Sequence, residues 1–191
     1  LHYDKINQQL IIIYNDNTID ISKNDNIINI PFIKTNTTVQ GSKTINDMFI
    51  AETGEAFLAT VFGILGFDLK KLEFTFTTFT DLKILSVAML GGILYAGTEE
   101  GLYSVQIKGT NLSDFNIWKS LSAENGLPQS FDVKSLAIKY SSLFALIDNK
   151  IFRSEANGQF KIVFAPTDKS DVITYISDDG TNIMVGVEKD N

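Results

Sequence analysis

The stretch ILYAGTEEGLYSVQI, residues 93–107, reads as a strand, a tight acidic turn and a second strand. Three other stretches have the same outline, namely AFLATVFGILGFDL (56–69), LFALIDNKIFRSEA (143–156) and LIIIYNDNTIDISK (10–23). A catalytic motif normally occurs once in a chain, whereas a phrase that recurs with variation describes a structural repeat. The sequence is therefore organised around a repeated β-unit.

The repeats align on a small residue before each turn and an apolar residue after it. These two sets are Ala59, Ala96 and Ala145 before the turns, and Ile64, Leu102 and Ile151 after them. The intervals between units are irregular, from about 37 to about 50 residues, which is the period of propeller blades that differ in loop length.

Each unit also carries an earlier apolar run, separated from the repeated phrase by a short connection such as Gly91–Gly92. Short glycine-containing or polar connections between β-rich runs indicate hairpins. The partly alternating stretches 71–79 and 159–165 predict a fourth, outer strand. The middle strands are apolar at nearly consecutive positions, as is typical of strands buried on both faces. No stretch keeps helical spacing for three turns, and 113–124 is expected to be a loop or a single turn.

The sequence thus predicts an all-β protein with a β-propeller fold, in which four-stranded blades pack face to face around a central axis. The expected blades span approximately 1–33, 43–80, 82–123 and 131–167, and a partial blade follows at 170–191. These four to five blades are expected to form an arc of a larger propeller of about seven blades. Because an arc leaves apolar edges uncovered, self-association through open blade edges is a further expectation.

Composition excludes several classes of function. The 191 residues include 23 acidic and 16 basic side chains, and the densest basic cluster is Lys70 with Lys71, so nucleic acid is not an expected partner. The absence of cysteine excludes thiol chemistry and disulfides. No apolar run reaches the roughly 18 residues of a membrane span. Because the chain begins with Leu1 and not methionine, we expect an internal fragment of a longer protein.

Residues that could bind a metal each have a simpler explanation. Asp16, Asn17 and Asp20 have an oxygen-rich spacing suited to Ca²⁺, but a full calcium loop would add a glycine and a distal bidentate glutamate. We therefore expect a hairpin turn there and another turn at 177–182. His2, the only histidine, has no recognisable partners for catalysis or zinc binding. No metal site and no cofactor are predicted.

Two pairs of carboxylates, Glu52 with Glu55 and Glu99 with Glu100, could be interpreted as the catalytic pair of a glycosidase. Both pairs lie in predicted turns of separate units, where acidic side chains are normally just solvated. A propeller enzyme would need convergent carboxylates or a metal cage at the mouth of the ring. No catalytic residue is predicted, and the chain is not expected to be an enzyme.

An aromatic set in the third unit is the candidate ligand-binding site. Tyr95, Tyr103 and Trp118, with Phe115 nearby in sequence, could form a shelf on which the apolar face of a sugar ring stacks. The alternative is that these side chains pack between blades, because aromatic residues bury large areas.

One part of the sequence resembles the two-component-regulator propeller repeat. In the segment 123–152, a Gly-Leu-Pro turn precedes an apolar strand pair, as in that repeat, although the usual tryptophan is missing. The phrase at 93–107 supplies a related Gly-Thr-x-x-Gly-Leu element with Tyr95 at the aromatic position. This resemblance implies an alternative function, namely a periplasmic oligosaccharide-sensing propeller of a hybrid two-component receptor.

A longer resemblance is to the N-terminal propeller of PorZ-type proteins of the type IX secretion system. The segments 3–21 and 45–74 are similar to that family, and Phe62-Gly63-Ile64 and Ile19-Asp20 are the more specific elements. The resemblance implies a non-enzymatic binding scaffold that is exported to the cell surface or periplasm of a Gram-negative bacterium. The implied partners are envelope proteins of an attachment complex, including a sortase-like protein, and lipopolysaccharide or oligosaccharide.

Overall fold

The computed structural model describes residues 1–189, which form five separate antiparallel sheets. We name the four-stranded sheets blades I to IV in chain order. Blade I contains β1 (His2–Asp4), β2 (Gln9–Ile13), β3 (Ile19–Lys23) and β4 (Asn26–Ile30). Blade II contains β5 (Ile45–Ile50), β6 (Glu55–Thr60), β7 (Gly63–Asp68) and β8 (Glu73–Phe79).

The same strand order continues through the rest of the chain. Blade III contains β9 (Ile84–Leu90), β10 (Ile93–Thr98), β11 (Gly101–Gln106) and β12 (Lys119–Leu121). Blade IV contains β13 (Val133–Lys139), β14 (Ser142–Ile147), β15 (Lys150–Ser154) and β16 (Phe160–Phe164). The fifth sheet is a terminal hairpin of β17 (Val172–Asp178) and β18 (Ile183–Glu188). Within each sheet the strands pair in sequence order, as they do in propeller blades.

Helical structure is confined to short segments. The helix α1 (Phe32–Thr35) makes one turn, and 3-10 turns occupy Phe115–Ile117 and Ala123–Asn125. None of the helices within residues 1–189 has the length and apolar character needed to cross a membrane.

The middle strands of blades II to IV are buried on both faces, which confirms the interpretation of their continuous apolar sequence. In blade I, the middle strands β2 and β3 have one buried face and one partly exposed face. Phe57 and Leu58 are neighbours in β6 and therefore point to opposite faces, yet both are 0% exposed. Leu58 packs in the core between blades I and II, and Phe57 packs in the core between blades II and III. Blades II, III and IV are thus each covered by a neighbour on both faces, and the predicted all-β propeller fold is confirmed as an open arc of blades.

Close contact between blades also depends on small residues. Gly97 of β10 lies where an added Cβ atom would come within 2.7 Å of the Val133 side chain in blade IV. The three alanines of the repeated phrase, Ala59, Ala96 and Ala145, are fully buried in the cores between blades. Larger side chains at these positions would push neighbouring blades apart.

A hydrogen bond between consecutive innermost strands recurs three times around the axis. Strands β5, β9 and β13 each contain a β-bulge, and the residue after the bulge carries the accepting side chain. The three bonds run from Val87 N to Asp47 Oδ2 (3.2 Å), from Leu136 N to Ser86 Oγ (3.0 Å) and from Ile176 N to Ser135 Oγ (3.3 Å). Ser86 also donates to Asp47 Oδ2 at 2.5 Å, so its buried hydroxyl connects blades II, III and IV.

The outer strands agree with the sequence-based expectations in two blades and differ in a third. The predicted outer strands at 71–79 and 159–165 are confirmed as β8 and β16. The stretch 113–124 contains the expected single turn but also the outer strand β12, which sequence reasoning missed. The reason is that β12 has three residues, too few to show an alternation of apolar and polar side chains.

The serine that connects three blades generates a stability prediction. In Ser86→Ala, the Leu136 N–H loses its acceptor and Asp47 loses a donor, so we expect the free energy of unfolding to fall by about 2–4 kcal/mol. Urea unfolding followed by tryptophan fluorescence measures this change. The control is Ser120→Ala on the exposed outer strand of blade III, where the expected change is within about 0.5 kcal/mol. Equal unfolding midpoints for the two variants would show that the hydrogen-bond chain adds no stability.

Candidate functional site

The structure brings together part of the predicted aromatic set. The ring centroids of Tyr103 and Phe115 lie 5.1 Å apart, and those of Phe115 and Trp118 lie 5.7 Å apart. Trp118 is 6% exposed and packs in the core between blades II and III. This aromatic cluster, made of Tyr103, Phe115 and Trp118, therefore fills the junction of two blades on the outer side of the arc.

Tyr95 lies apart from the aromatic cluster. In blade III, Tyr95 stands opposite Ser104, and Tyr103 stands opposite Ala96, so the two tyrosines point to opposite faces of the sheet. Tyr95 packs against the core between blades III and IV, and its burial raises the pKa of its phenol. The three predicted residues do not share one surface. Ligand binding by Tyr95, Tyr103 and Trp118 remains a prediction.

The loop before β12 folds back to bury Trp118. Asp114 Oδ1 accepts from Asn116 N at 3.0 Å and caps the 3-10 turn, and Trp118 N donates to Phe115 O at 3.1 Å. Thr78 Oγ1 of blade II donates to Leu112 O at 2.5 Å, which ties the loop to the neighbouring blade. The indole Nε1 has no hydrogen-bond partner among residues 1–189. These contacts support a packing role for the indole.

A cleft of about 570 Å³ opens where β12 stops covering β11. Its wall combines apolar and polar side chains, including Val105, Ile117, Asn111, Asp114 and Lys119. Sequence reasoning missed this cleft because an irregular loop without a motif forms one side of it, and the strands β10, β11 and β12 form the other. The cleft could accept a small polar ligand, but its residues do not form a catalytic arrangement.

A second open cleft, of about 550 Å³, is lined by residues of four innermost strands, β1, β5, β13 and β17. Its wall combines apolar side chains, including Tyr3, Phe49 and Ile138, with polar ones, including Asp47 and Asp178. At this cleft, Lys139 Nζ lies 2.8 Å from Asp178 Oδ1, and this hydrogen bond lowers the pKa of the Asp178 carboxyl.

The acidic turn at 14–20 is held together by its own neighbours. Asp16 accepts from Lys34 Nζ at 2.7 Å and from Thr18, and these donors lower the pKa of its carboxyl. Asp20 accepts from Tyr14 Oη at 2.9 Å, and this bond raises the pKa of the tyrosine. These bonds fit a hairpin turn and do not require a bound cation.

The second acidic turn and the histidine have similar local explanations. Asp179 Oδ1 accepts from the backbone N–H groups of Thr181 (2.7 Å) and Asn182 (2.6 Å). His2 lies in β1, and its burial lowers the pKa of the imidazole. Within residues 1–189, no group of three or more histidine, cysteine, aspartate or glutamate side chains is placed to hold a metal ion.

The two glutamate pairs lie at opposite ends of the blades. Glu52 and Glu55 are at the connection between the first and second strands of blade II, whereas Glu99 and Glu100 form the turn between the second and third strands of blade III. Successive antiparallel connections alternate between the two ends of a sheet, so the two pairs do not lie together. Both pairs lie at strand connections, as the sequence predicts.

The buried indole generates a second stability prediction. Trp118→Ala removes a large side chain from the junction of blades II and III, so we expect the free energy of unfolding to fall by about 3–5 kcal/mol. Trp118→Phe keeps an aromatic ring and removes the unpartnered N–H. We therefore expect its free energy of unfolding to fall by less than that of Trp118→Ala. Urea unfolding followed by far-ultraviolet circular dichroism measures both variants. An alanine variant as stable as the native chain would show that the indole is not a packing residue.

Comparisons with known proteins agree with this architecture. Residues 1–119 match the family model described as "TSS9, PorZ, N-terminal beta-propeller domain". The structure of PorZ, a bacterial surface component of the type IX secretion system of Porphyromonas gingivalis, has a TM-score of 0.77 and 19% identity. That similarity covers 96% of this chain and 29% of the PorZ chain. No curated protein sequence matches the chain.

Two other solved structures share the fold. The extracellular domain of a putative hybrid two-component system from B. thetaiotaomicron has a TM-score of 0.62 and 19% identity, over 94% of this chain and 25% of its own. The Cps50 (Swd1) β-propeller of Myceliophteria thermophila has a TM-score of 0.71 and 12% identity, over 98% of this chain and 61% of its own. At these identities, the likeness shows the fold alone. Because the family model matches 119 of the 191 residues, the chain belongs to the PorZ N-terminal β-propeller family.

Proposed function

We propose that this chain is a non-enzymatic binding propeller of an exported bacterial cell-envelope protein. In this role it is a scaffold for other components of a type IX secretion and attachment complex. The observation that carries the proposal is the family match over residues 1–119. The description of PorZ as a surface component of that secretion system supports the location.

The proposed partners are envelope proteins and lipopolysaccharide or an oligosaccharide derived from it. The tyrosines Tyr95 and Tyr103 are half-buried, so part of each ring remains accessible to a sugar. Trp118 would act by holding the Tyr103 and Phe115 rings in place, since its own ring is buried. Self-association through an open blade edge is the second part of the proposal.

A sensor function is the alternative, and one observation favours it. The extracellular domain of the putative hybrid two-component system matches 94% of this chain in structure. In that case the propeller would bind an oligosaccharide in the periplasm and transmit the signal across the membrane. The full-length gene product separates the two proposals. A membrane helix followed by a kinase domain would favour the sensor, and a terminal β-sandwich without such a helix would favour the scaffold.

The scaffold proposal is tested by binding and turnover measurements on the same sample. Purified chain is expected to bind purified lipopolysaccharide in biolayer interferometry and to release no sugar from it. Tyr103→Leu keeps an apolar side chain in the core but loses ring stacking, so its affinity is expected to be about threefold to tenfold weaker. The control Tyr140→Leu changes an exposed tyrosine outside the aromatic cluster and is expected to bind normally.

Two results would contradict this proposal. Sugar release that disappears when one carboxylate is replaced would make the chain an enzyme. Equal affinities for the Tyr103 and Tyr140 variants would remove Tyr103 from the ligand site.

A further inference from the structure

The outer strands of the four blades differ in how their free edges are protected. An edge strand exposes unpaired backbone groups, and proteins usually protect it with charges, bulges or short length. β8 contains a bulge and Glu73, β16 contains a bulge and Lys161, and β12 has three residues beginning with Lys119. β4, with the sequence NIINI, has five uncharged residues and pairs with β3 in unbroken register.

The free edge of β4 is accessible and has a defined pattern of backbone groups. The turn Asn24–Asp25 has two residues with positive φ, so Lys23 and Asn26 form a hydrogen-bonded pair at its base. Pairing then alternates, so Ile28 bonds to β3, whereas Ile27 and Asn29 direct their N–H and C=O groups away from the blade. The side chains of Ile27 and Ile28 are 66% and 48% exposed.

We propose that β4 pairs in antiparallel fashion with β4 of a second copy of this chain, around a twofold axis at Ile28. This inference deepens the proposed self-association by naming the edge involved. Ile27 of each copy then exchanges two backbone hydrogen bonds with Asn29 of the other, which gives four bonds. Ile28 stands opposite itself in a non-hydrogen-bonded pair. The two copies of blade I become one eight-stranded sheet.

Three features favour a second copy as the occupant. In β4, the residues with outward-facing backbone groups, Ile27 and Asn29, are placed symmetrically about Ile28. Twofold pairing of two copies of β4 therefore gives each of these groups a partner. Two copies that each have a net charge of −7 repel each other, but β4 itself carries no charge, so pairing through β4 adds no repulsion from this strand. Pro31 on one side and the turn Asn24–Asp25 on the other limit the pairing to the five residues of β4.

The strand β18 also has a free edge, but its position in the fold is different. It is the second strand of its sheet, and in blades I to IV the second strand pairs with a third strand of the same blade. The free edge of β18 is therefore at the position where, in the other blades, a third strand of the same blade pairs. The edge of β4 lies on the circumference, where a second propeller has room to approach.

The register can be tested by disulfide cross-linking, because the chain has no cysteine. In Ile28→Cys the two sulfur atoms meet across the twofold axis, since Cα atoms of such a pair lie about 4.5 Å apart, within disulfide range. We expect a covalent dimer on mild oxidation. Ile27→Cys is the matched control, because its partner is Asn29 and the two cysteines stay apart. Equal cross-linking of both variants, or none with Ile28→Cys, would overturn the proposed pairing.

The interface can be tested independently by sedimentation of the intact chain. Ile27→Pro removes an outward N–H that the monomer does not use, so the fold should persist while dimerisation weakens by more than about tenfold. Met184→Lys, on the edge strand β18, is expected to leave the dimer unchanged. Loss of the dimer with Met184→Lys and not with Ile27→Pro would assign the interface to β18.

A native chain that stays monomeric at all concentrations would end both this inference and the proposed self-association. Lipopolysaccharide binding tests the scaffold role separately.

Discussion

The burial of both faces of the middle strands is the constraint on which this structure depends. Phe57 and Leu58 are adjacent in sequence, yet each lies in a different core, because the strand that carries them is covered by one blade on each side. A single blade could not bury both side chains. The fold is therefore stable only as a series, in which every junction contributes to the stability of the blades beside it.

Polar groups near the axis also connect each blade to the next one. The bulged innermost strands place Asp47, Ser86 and Ser135 where each accepts the backbone N–H of the next blade. The buried Ser86 hydroxyl uses both its donor and its acceptor capacity, which removes the cost of burying it. Apolar packing and these bonds together fix how consecutive blades sit against each other.

Much of the fold could be predicted from the sequence, and the misses have physical reasons. The small residue before each turn and the apolar residue after it were enough to place the second and third strands, as at Ala96 and Leu102. The short strand β12 and the cleft beside it could not be predicted, since both depend on how an irregular loop folds. The separation of Tyr95 from Tyr103 was predictable in principle. Counting outward from the two-residue turn at 99–100 places Tyr95 opposite Ser104.

The hairpin of β17 and β18 packs against a neighbouring blade through one face. Ile173 and Ile176 pack on blade IV, but Tyr175 and Met184 on the other face are exposed. With one covered face where the interior blades have two, its backbone amides should exchange with deuterated solvent sooner than those of β6 or β10. Local opening of this hairpin then costs less free energy than opening of a strand that is covered on both faces.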